Sequence, residues 1–194
     1  MSDLPTSARG AATYRRIVDA ATQEFAAYGI AGARIERIIA AARTNKAQLY
    51  GYFGNKEQLF DAIFFASLER ITDVVPIDAD DLAAWAVRLY DEYLARPDLI
   101  RLATWARLER RPTGHLVGDH ERYDDHKLGA IAAAQAAGRI RQGDPFDIMA
   151  LVIAMSMAWS PVSNVYAATA EEPDQVHEQR RTLLRDSVRR AVAA

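Results

Sequence analysis

Between Arg34 and Phe53 the chain reads Arg-Ile-Glu-Arg-Ile-Ile-Ala-Ala-Ala-Arg-Thr-Asn-Lys-Ala-Gln-Leu-Tyr-Gly-Tyr-Phe. Ile35, Ile38, Ile39 and Ala42 recur at helical spacing, and so do Leu49 and Phe53. Arg43 and Thr44 separate the two patterns, and Asn45 is a residue type that caps a helix start. The stretch predicts two short helices joined by a tight turn, the outline of a helix-turn-helix. With Leu49 and Phe53 turned inward, Lys46, Ala47, Gln48, Tyr50 and Tyr52 fall on or beside the exposed side of the second helix. Lys can donate to guanine O6 or N7, and Gln can pair bidentately with adenine. Tyr hydroxyls, and Lys56 at the next helix start, suit phosphate contacts that fix register without reading sequence. An ordinary αα-corner with a solvated polar face fits the same residues.

Working outward, Tyr14, Ile17, Ala21 and Phe25 form one helical face closed by Gly29. On the other side Asn55 offers a cap to a long pattern, Leu59, Ile63, Phe64, Leu68 and Ile71, which dies at Pro76. Longer helices follow. Leu82, Trp85, Leu89 and Tyr93 end at Pro97, and Leu99, Leu102, Trp105 and Leu108 end at Pro112. Leu116, His120, Tyr123, Leu128 and Ile131 run on to Gly138. Asp144-Pro145 opens an uncharged helix, and Pro173 opens a last one with Val176, Leu183 and Val188. No strand-like alternation or hairpin turn interrupts this order, so the fold class is all-α.

The composition closes off several function classes. There is no cysteine, which removes disulfide scaffolds, Cys zinc sites, iron–sulfur clusters and thiol nucleophiles. Ile148 to Ala170 carries no charge, but its dense apolar part ends at Trp159 and Ser160, Pro161, Ser163 and Asn164 follow. A membrane span needs about 20 mostly apolar residues, so a buried, Pro-terminated helix is expected. The first ten residues lack the apolar core of a signal peptide, and the expected location is the cytoplasm. The 24 basic and 26 acidic residues give a net charge of −2, which alone argues against nucleic-acid binding. Their arrangement reverses that argument: Met1 to Lys56 holds eight basic and four acidic residues, a net of +4, and the remainder carries −6.

The run Ile17, Ala20-Ala21, Phe25, Gly29, Ile35, Ile38, Ala42, then Asn45 to Leu59, resembles the DNA-binding domain of TetR-type transcriptional regulators. The family pattern Leu-Tyr-x-x-Phe-x-x-Lys-x-x-Leu is met at Leu49, Tyr50, Phe53, Lys56 and Leu59. The resemblance covers roughly Tyr14 to Ile71 and beyond that rests on helix order. It implies an N-terminal three-helix helix-turn-helix domain joined by a long helix to a C-terminal helical ligand-binding and dimerisation domain. The expected division is a flexible arm over 1–12, a DNA-binding domain over 13–72 with its motif at 34–53, and a C-terminal domain over 76–194.

Three departures from the family pattern matter. Arg43 stands where Gly is usual; a left-handed Arg costs of order 1 kcal/mol, and its charge suits the DNA backbone. Ala33-Arg34 replaces the usual hydroxyl pair opening the second helix, exchanging a hydroxyl cap for a guanidinium. Asn45 replaces the usual Ser or Thr cap conservatively. The expected DNA contacts are Arg34, Arg43, Thr44, Asn45, Lys46, Ala47, Gln48, Tyr50, Tyr52 and Lys56.

For the C-terminal domain the resemblance implies an apolar pocket, with Phe64, Trp85, Tyr93, Trp105, Tyr123 and Met149 as candidate lining residues. Plain core is the competing role for each, because cores and pockets use the same residue types. Val152 and Met155 of the uncharged helix, with Leu183 and Val188 of the last, are expected to form a homodimer as a four-helix bundle. Arg180, Arg181, Arg185, Arg189 and Arg190 look like the last helix's solvated face. His115, Asp119, His120, Glu121, Asp124, Asp125 and His126 could suggest a metal, but read better as a solvated helix face, and no metal or cofactor is expected. The implied protein is no enzyme. It is a ligand-responsive repressor, released from a palindromic double-stranded DNA operator by a small lipophilic or aromatic inducer, with no membrane partner. The alternative is a helical small-molecule-binding module or enzyme that does not bind DNA.

Overall fold

A computed structural model describes residues 7–111, 113–115 and 121–194, apart from the side chains at 72 and 121–123. Among the described residues there is no strand. The helices are α1 (Ala8–Gly32), α2 (Ile35–Ala41), α3 (Lys46–Phe53), α4 (Lys56–Val74), α5 (Leu82–Ala95), α6 (Pro97–Arg110), α7 (Glu121–Ala136), α8 (Pro145–Ser156) and α9 (Asp174–Val192). Short polar side chains set their starts. Asn45 Oδ1 accepts Gln48 N–H at 2.9 Å, Asn55 Oδ1 accepts Gln58 N–H at 2.8 Å, and Asp144 Oδ1 accepts Phe146 N–H at 2.7 Å.

Contacts divide the chain into two units, Met1–Leu68 with Arg101–Leu116 and Glu69–Ile100 with Val117–Ala194. In the first, Ile17, Phe25, Ile38, Leu49, Leu59, Phe60 and Leu102 are fully buried. Each such apolar side chain contributes roughly 1.5–3 kcal/mol relative to exposure. Phe25 meets Phe60 edge-to-face at 5.3 Å.

Residues 101–116 fell within the expected C-terminal domain, but they group with the first unit because α6 is tied to α1. Arg101 Nε and Trp105 Nε1 both donate to Ala26 O, at 2.7 and 3.2 Å. Glu109 accepts Ile30 N–H at 2.8 Å and Ala31 N–H at 2.7 Å. Those N–H groups need a partner because α1 breaks at Gly29, where φ is 73° and ψ −175°. The carboxylate supplies what the broken helical ladder does not.

In the second unit α5 packs against both α8 and α9. Leu82, Trp85, Leu89, Tyr90 and Tyr93 of α5 are buried with Ile148, Met149 and Val152 of α8 and Leu184, Val188 and Val192 of α9. The Trp85 indole donates to Val75 O at 3.2 Å, so its polar atom is satisfied inside the core. Val152 and Val188 are both 0 % exposed within a single chain. That corrects their assignment to a dimer interface: α8 and α9 spend these residues on α5, and only their outward faces remain for a partner. Helix α8 ends at Ser156, short of Trp159. Among the described residues no helix is long and apolar enough to cross a membrane.

Candidate nucleic-acid interface

Leu49 is 0 % and Phe53 6 % exposed, so α3 turns its apolar side into the first unit. The opposite side presents exposed Lys46, Ala47 and Gln48, with Tyr50 half-buried beside them. Several of these side chains are already held. Thr44 Oγ1 donates to Gln48 Oε1 at 2.7 Å, leaving the Gln48 NH2 group outward as a donor. Lys46 Nζ lies 3.5 Å from Glu36 Oε1 and 5.9 Å from the Tyr50 ring centroid. The Glu36 carboxyl is held below its usual range, first by its own backbone N–H and also by the Lys46 charge. Both partners are well exposed, and such pairs are weak and screened by salt, so Lys46 can exchange Glu36 for a base edge or phosphate.

Tyr52 is anchored by its ring, edge-on to Tyr14 at 5.8 Å, while Tyr14 stacks on Phe53 at 5.0 Å. Arg43 takes the left-handed conformation, with φ 51°, and its side chain is exposed. Arg34 is exposed and makes no side-chain cap bond for α2. Glu24 supplies the missing cap from α1 by accepting Arg34 N–H at 2.8 Å. The same buried carboxylate accepts Arg37 Nε at 2.8 Å. Burial alone would raise the Glu24 pKa, but the Arg37 and Arg34 hydrogen bonds outweigh it and hold the carboxyl below its ordinary range. Lys56 is more committed than expected: Nζ donates to Ala31 O at 3.3 Å and Ala33 O at 3.4 Å, which leaves one of three N–H groups for phosphate.

The expected ligand-lining residues are dispersed. Phe64 and Trp105 belong to the first unit, where Phe64 stacks on Phe60 at 5.8 Å. Trp85, Tyr93 and Met149 lie in the core of the second unit at 2 %, 6 % and 3 % exposure. Burial pushes the Tyr93 hydroxyl up to about 12, against a hydrogen bond with Ser156 that lowers it. The Tyr123 side chain lies outside the described residues. Phe64, Trp85, Tyr93, Trp105 and Met149 do not line the cleft of about 530 Å³ that opens among Ile77, Asp80, Arg88, Ala130 and Arg139. Of the possible metal ligands, Asp119, His120 and the Glu121 side chain lie outside the described residues, and among the described ones no group of three His, Cys, Asp or Glu could hold an ion.

Arg189 and Arg190 are exposed as expected of the last helix, but Arg180 and Arg181 depart from that solvated face. The Arg180 side chain is only 13 % exposed and stands 2.6 Å from Glu172, and Arg181 pairs with Asp91 at 2.8 Å. Reading the sequence missed Glu24 and Glu36, the contact of Tyr14 with Tyr52, and the ion pairs of Arg180 and Arg181. Their partners come from other helices or loops, and no periodic pattern encodes such pairings.

A short capped helix with a buried apolar side and an exposed Lys-Gln-Tyr side, set after a tight turn in a basic N-terminal unit, defines a helix-turn-helix DNA-binding regulator. Residues 17–63 match the model of bacterial regulatory proteins of the tetR family, and residues 81–190 match the tetracyclin repressor-like C-terminal domain. The chain belongs to the TetR family. It is 40% identical over 148 residues to the HTH-type transcriptional repressor SCO4008 of Streptomyces coelicolor, covering 75% of this chain and 77% of that one. The solved structure of the transcriptional regulator SCO4942 from the same organism is 35% identical, with a TM-score of 0.79 over 93% of this chain and 98% of that one. AibR, solved with isovaleryl coenzyme A and operator DNA, shares the fold at 20% identity, with a TM-score of 0.67 over 91% of this chain and 97% of its own. The protein is accordingly a transcriptional regulator of the helix-turn-helix, TetR type.

Proposed function

We propose that the chain represses as a homodimer, placing its two α3 helices in successive major grooves of a palindromic operator and leaving when a small molecule binds the second unit. The observation that carries this reading is the division of α3. Leu49 and Phe53 are spent on the core, and Lys46, Ala47, Gln48 and Tyr50 are left beside one another on the other side. In this reading Lys46 and Gln48 reach base edges, while Arg34, Arg43, Thr44, Tyr50, Tyr52 and the remaining Lys56 donor meet phosphates.

The outward sides of α8 and α9 supply the dimer contact. Leu151 is 44% and Leu183 56% exposed, and Met155 is half-buried between α8's two sides. They are apolar residues of the two helices whose inner faces are already filled by α5. The solved AibR complex holds a coenzyme A thioester and operator DNA on one such fold, which supports a single chain answering to both. The reading is tested by mobility shift on DNA from the chain's own upstream region. Wild type is expected to give a retarded band that Lys46→Ala and Tyr50→Ala sharply weaken while their circular dichroism stays helical. Unchanged binding by both variants contradicts the assignment of α3.

A further inference from the structure

By residue type Gln48 suits adenine, because a free glutamine amide offers an acceptor to N6–H2 and a donor to N7. In the structure the amide is not free. Thr44 Oγ1 donates to Gln48 Oε1 at 2.7 Å, and the Gln48 N–H is held by Asn45 Oδ1 at 2.9 Å. Gln48 is exposed and Thr44 half-buried, so the carbonyl oxygen is turned back and the NH2 group is left outward.

The sense of the amide follows from its place. Asn45 caps α3 and Gln48 is the helix's third residue. Thr44 precedes the cap, so the Gln48 oxygen is drawn toward the end of the helix whose unpaired N–H groups carry positive partial charge. Thr44 is itself fixed: its N–H donates to Ile39 O at 3.0 Å, and the turn before it is made by Arg43 at a φ of 51°. A hydroxyl has one hydrogen, so Thr44 can donate to Gln48 or to a phosphate, but not to both. Here it serves Gln48.

The exposed side chains of the first turn of α3 then offer donors and no free acceptor. Lys46 has three N–H donors, Ala47 is apolar, and Gln48 shows its NH2 group. Such an NH2 group can give one hydrogen to guanine N7 and the other to guanine O6. Opposite adenine the second hydrogen meets N6–H2, donor against donor, and thymine offers only O4. Lys46 favours the same two guanine acceptors.

We propose that Thr44 is a positioning residue that holds Gln48 in its donor form, so that Gln48 reads guanine and not adenine in each operator half-site. The proposal rests on the placement of α3 in the major groove and names the base selected there. It withdraws the Thr44 hydroxyl from the phosphates.

The test is selection of duplexes from a randomised pool by the full chain as wild type, Gln48→Ala, Thr44→Val and Thr44→Ser, followed by anisotropy titration of the selected duplexes at fixed salt. The half-site position whose preference Gln48→Ala abolishes is expected to be a G·C pair in wild type, favoured about ten-fold over A·T. Thr44→Val keeps the side chain's shape but frees the Gln48 oxygen, and is expected to bring adenine level with guanine at that position. Thr44→Ser keeps the hydroxyl and restores the guanine preference. A Thr44 that merely supports the turn would lower affinity for every duplex alike and leave the preference unmoved. If Thr44→Val does not fold, Thr44→Ala removes the same hydroxyl with less bulk. An A·T pair at the Gln48-dependent position in wild type, the absence of any such position, or an unchanged preference once the Thr44 hydroxyl is removed overturns the proposal. In those cases wild type still selects DNA and the repressor reading stands; a wild type that selects no duplex overturns both.

Discussion

Arg43 pays for the turn before the recognition helix, holding φ at 51° where Gly would sit without strain. The Arg43→Gly variant is therefore expected to gain up to about 1 kcal/mol in urea unfolding while binding DNA more weakly for want of a cation. A variant that gains stability and binds as tightly as wild type removes Arg43 from the interface. Glu24 is the other residue with a decisive local role, because one buried carboxylate caps α2 and clamps Arg37. Its folded pKa lies below the ordinary 4.5, so its stabilisation is complete above that value and is lost as pH falls through the lowered one. Glu24→Gln is expected to cost about 2 kcal/mol at neutral pH, discounted for the partial exposure of Arg37. The deficit relative to wild type should shrink below pH 4.5, as read from denaturation midpoints across an acid series. Arg43 was legible in the sequence as a misfit in a recognisable turn. Glu24 was not, since an acidic residue in α1 gives no sign of which helix it will serve.

Helix starts were the most legible feature, because an Asn or Asp cap acts within three residues of itself. Asn45, Asn55 and Asp144 each accept the N–H bond that their position in the sequence announces. Asn45→Ala is expected to cost about 1 kcal/mol and to weaken DNA binding by fraying the first turn of α3, where Lys46 sits. The end of α1 was legible only in part. Gly29 does close the apolar pattern, but the Glu109 carboxylate that satisfies the freed N–H groups arrives from a helix far along the chain. A Cβ at Gly29 would collide with Glu109 and come within 2.8 Å of Trp105, on top of the strain of a φ of 73°. Gly29→Ala is thus expected to destabilise by more than about 1 kcal/mol, seen as a lowered Tm; an unchanged Tm would mean that α6 is not fixed at this point. On α8 the apolar content predicted burial correctly but not its direction, since a pattern apolar on several sides does not say which side meets α5.

At the scale of the molecule, charge and apolar surface divide the labour. The first 56 residues carry a net +4 and the rest −6, so the DNA-facing end is attracted to phosphate while the remainder is not. The apolar residues left outside, Leu151 and Leu183, lie on the two helices read as the dimer contact. Leu183→Arg is expected to sediment as a monomer in analytical ultracentrifugation without loss of helix content, whereas an unchanged dimer would place the contact elsewhere. Because paired half-sites require paired domains, the same variant should lose most of its operator affinity. The most direct measurement is fluorescence anisotropy of labelled upstream DNA titrated with wild type, Lys46→Ala and Tyr50→Ala at fixed salt. The account predicts saturable, salt-sensitive binding by wild type and affinity lowered at least about ten-fold in each variant, the worth of one good base or phosphate contact. Equal affinity for all three proteins would contradict it.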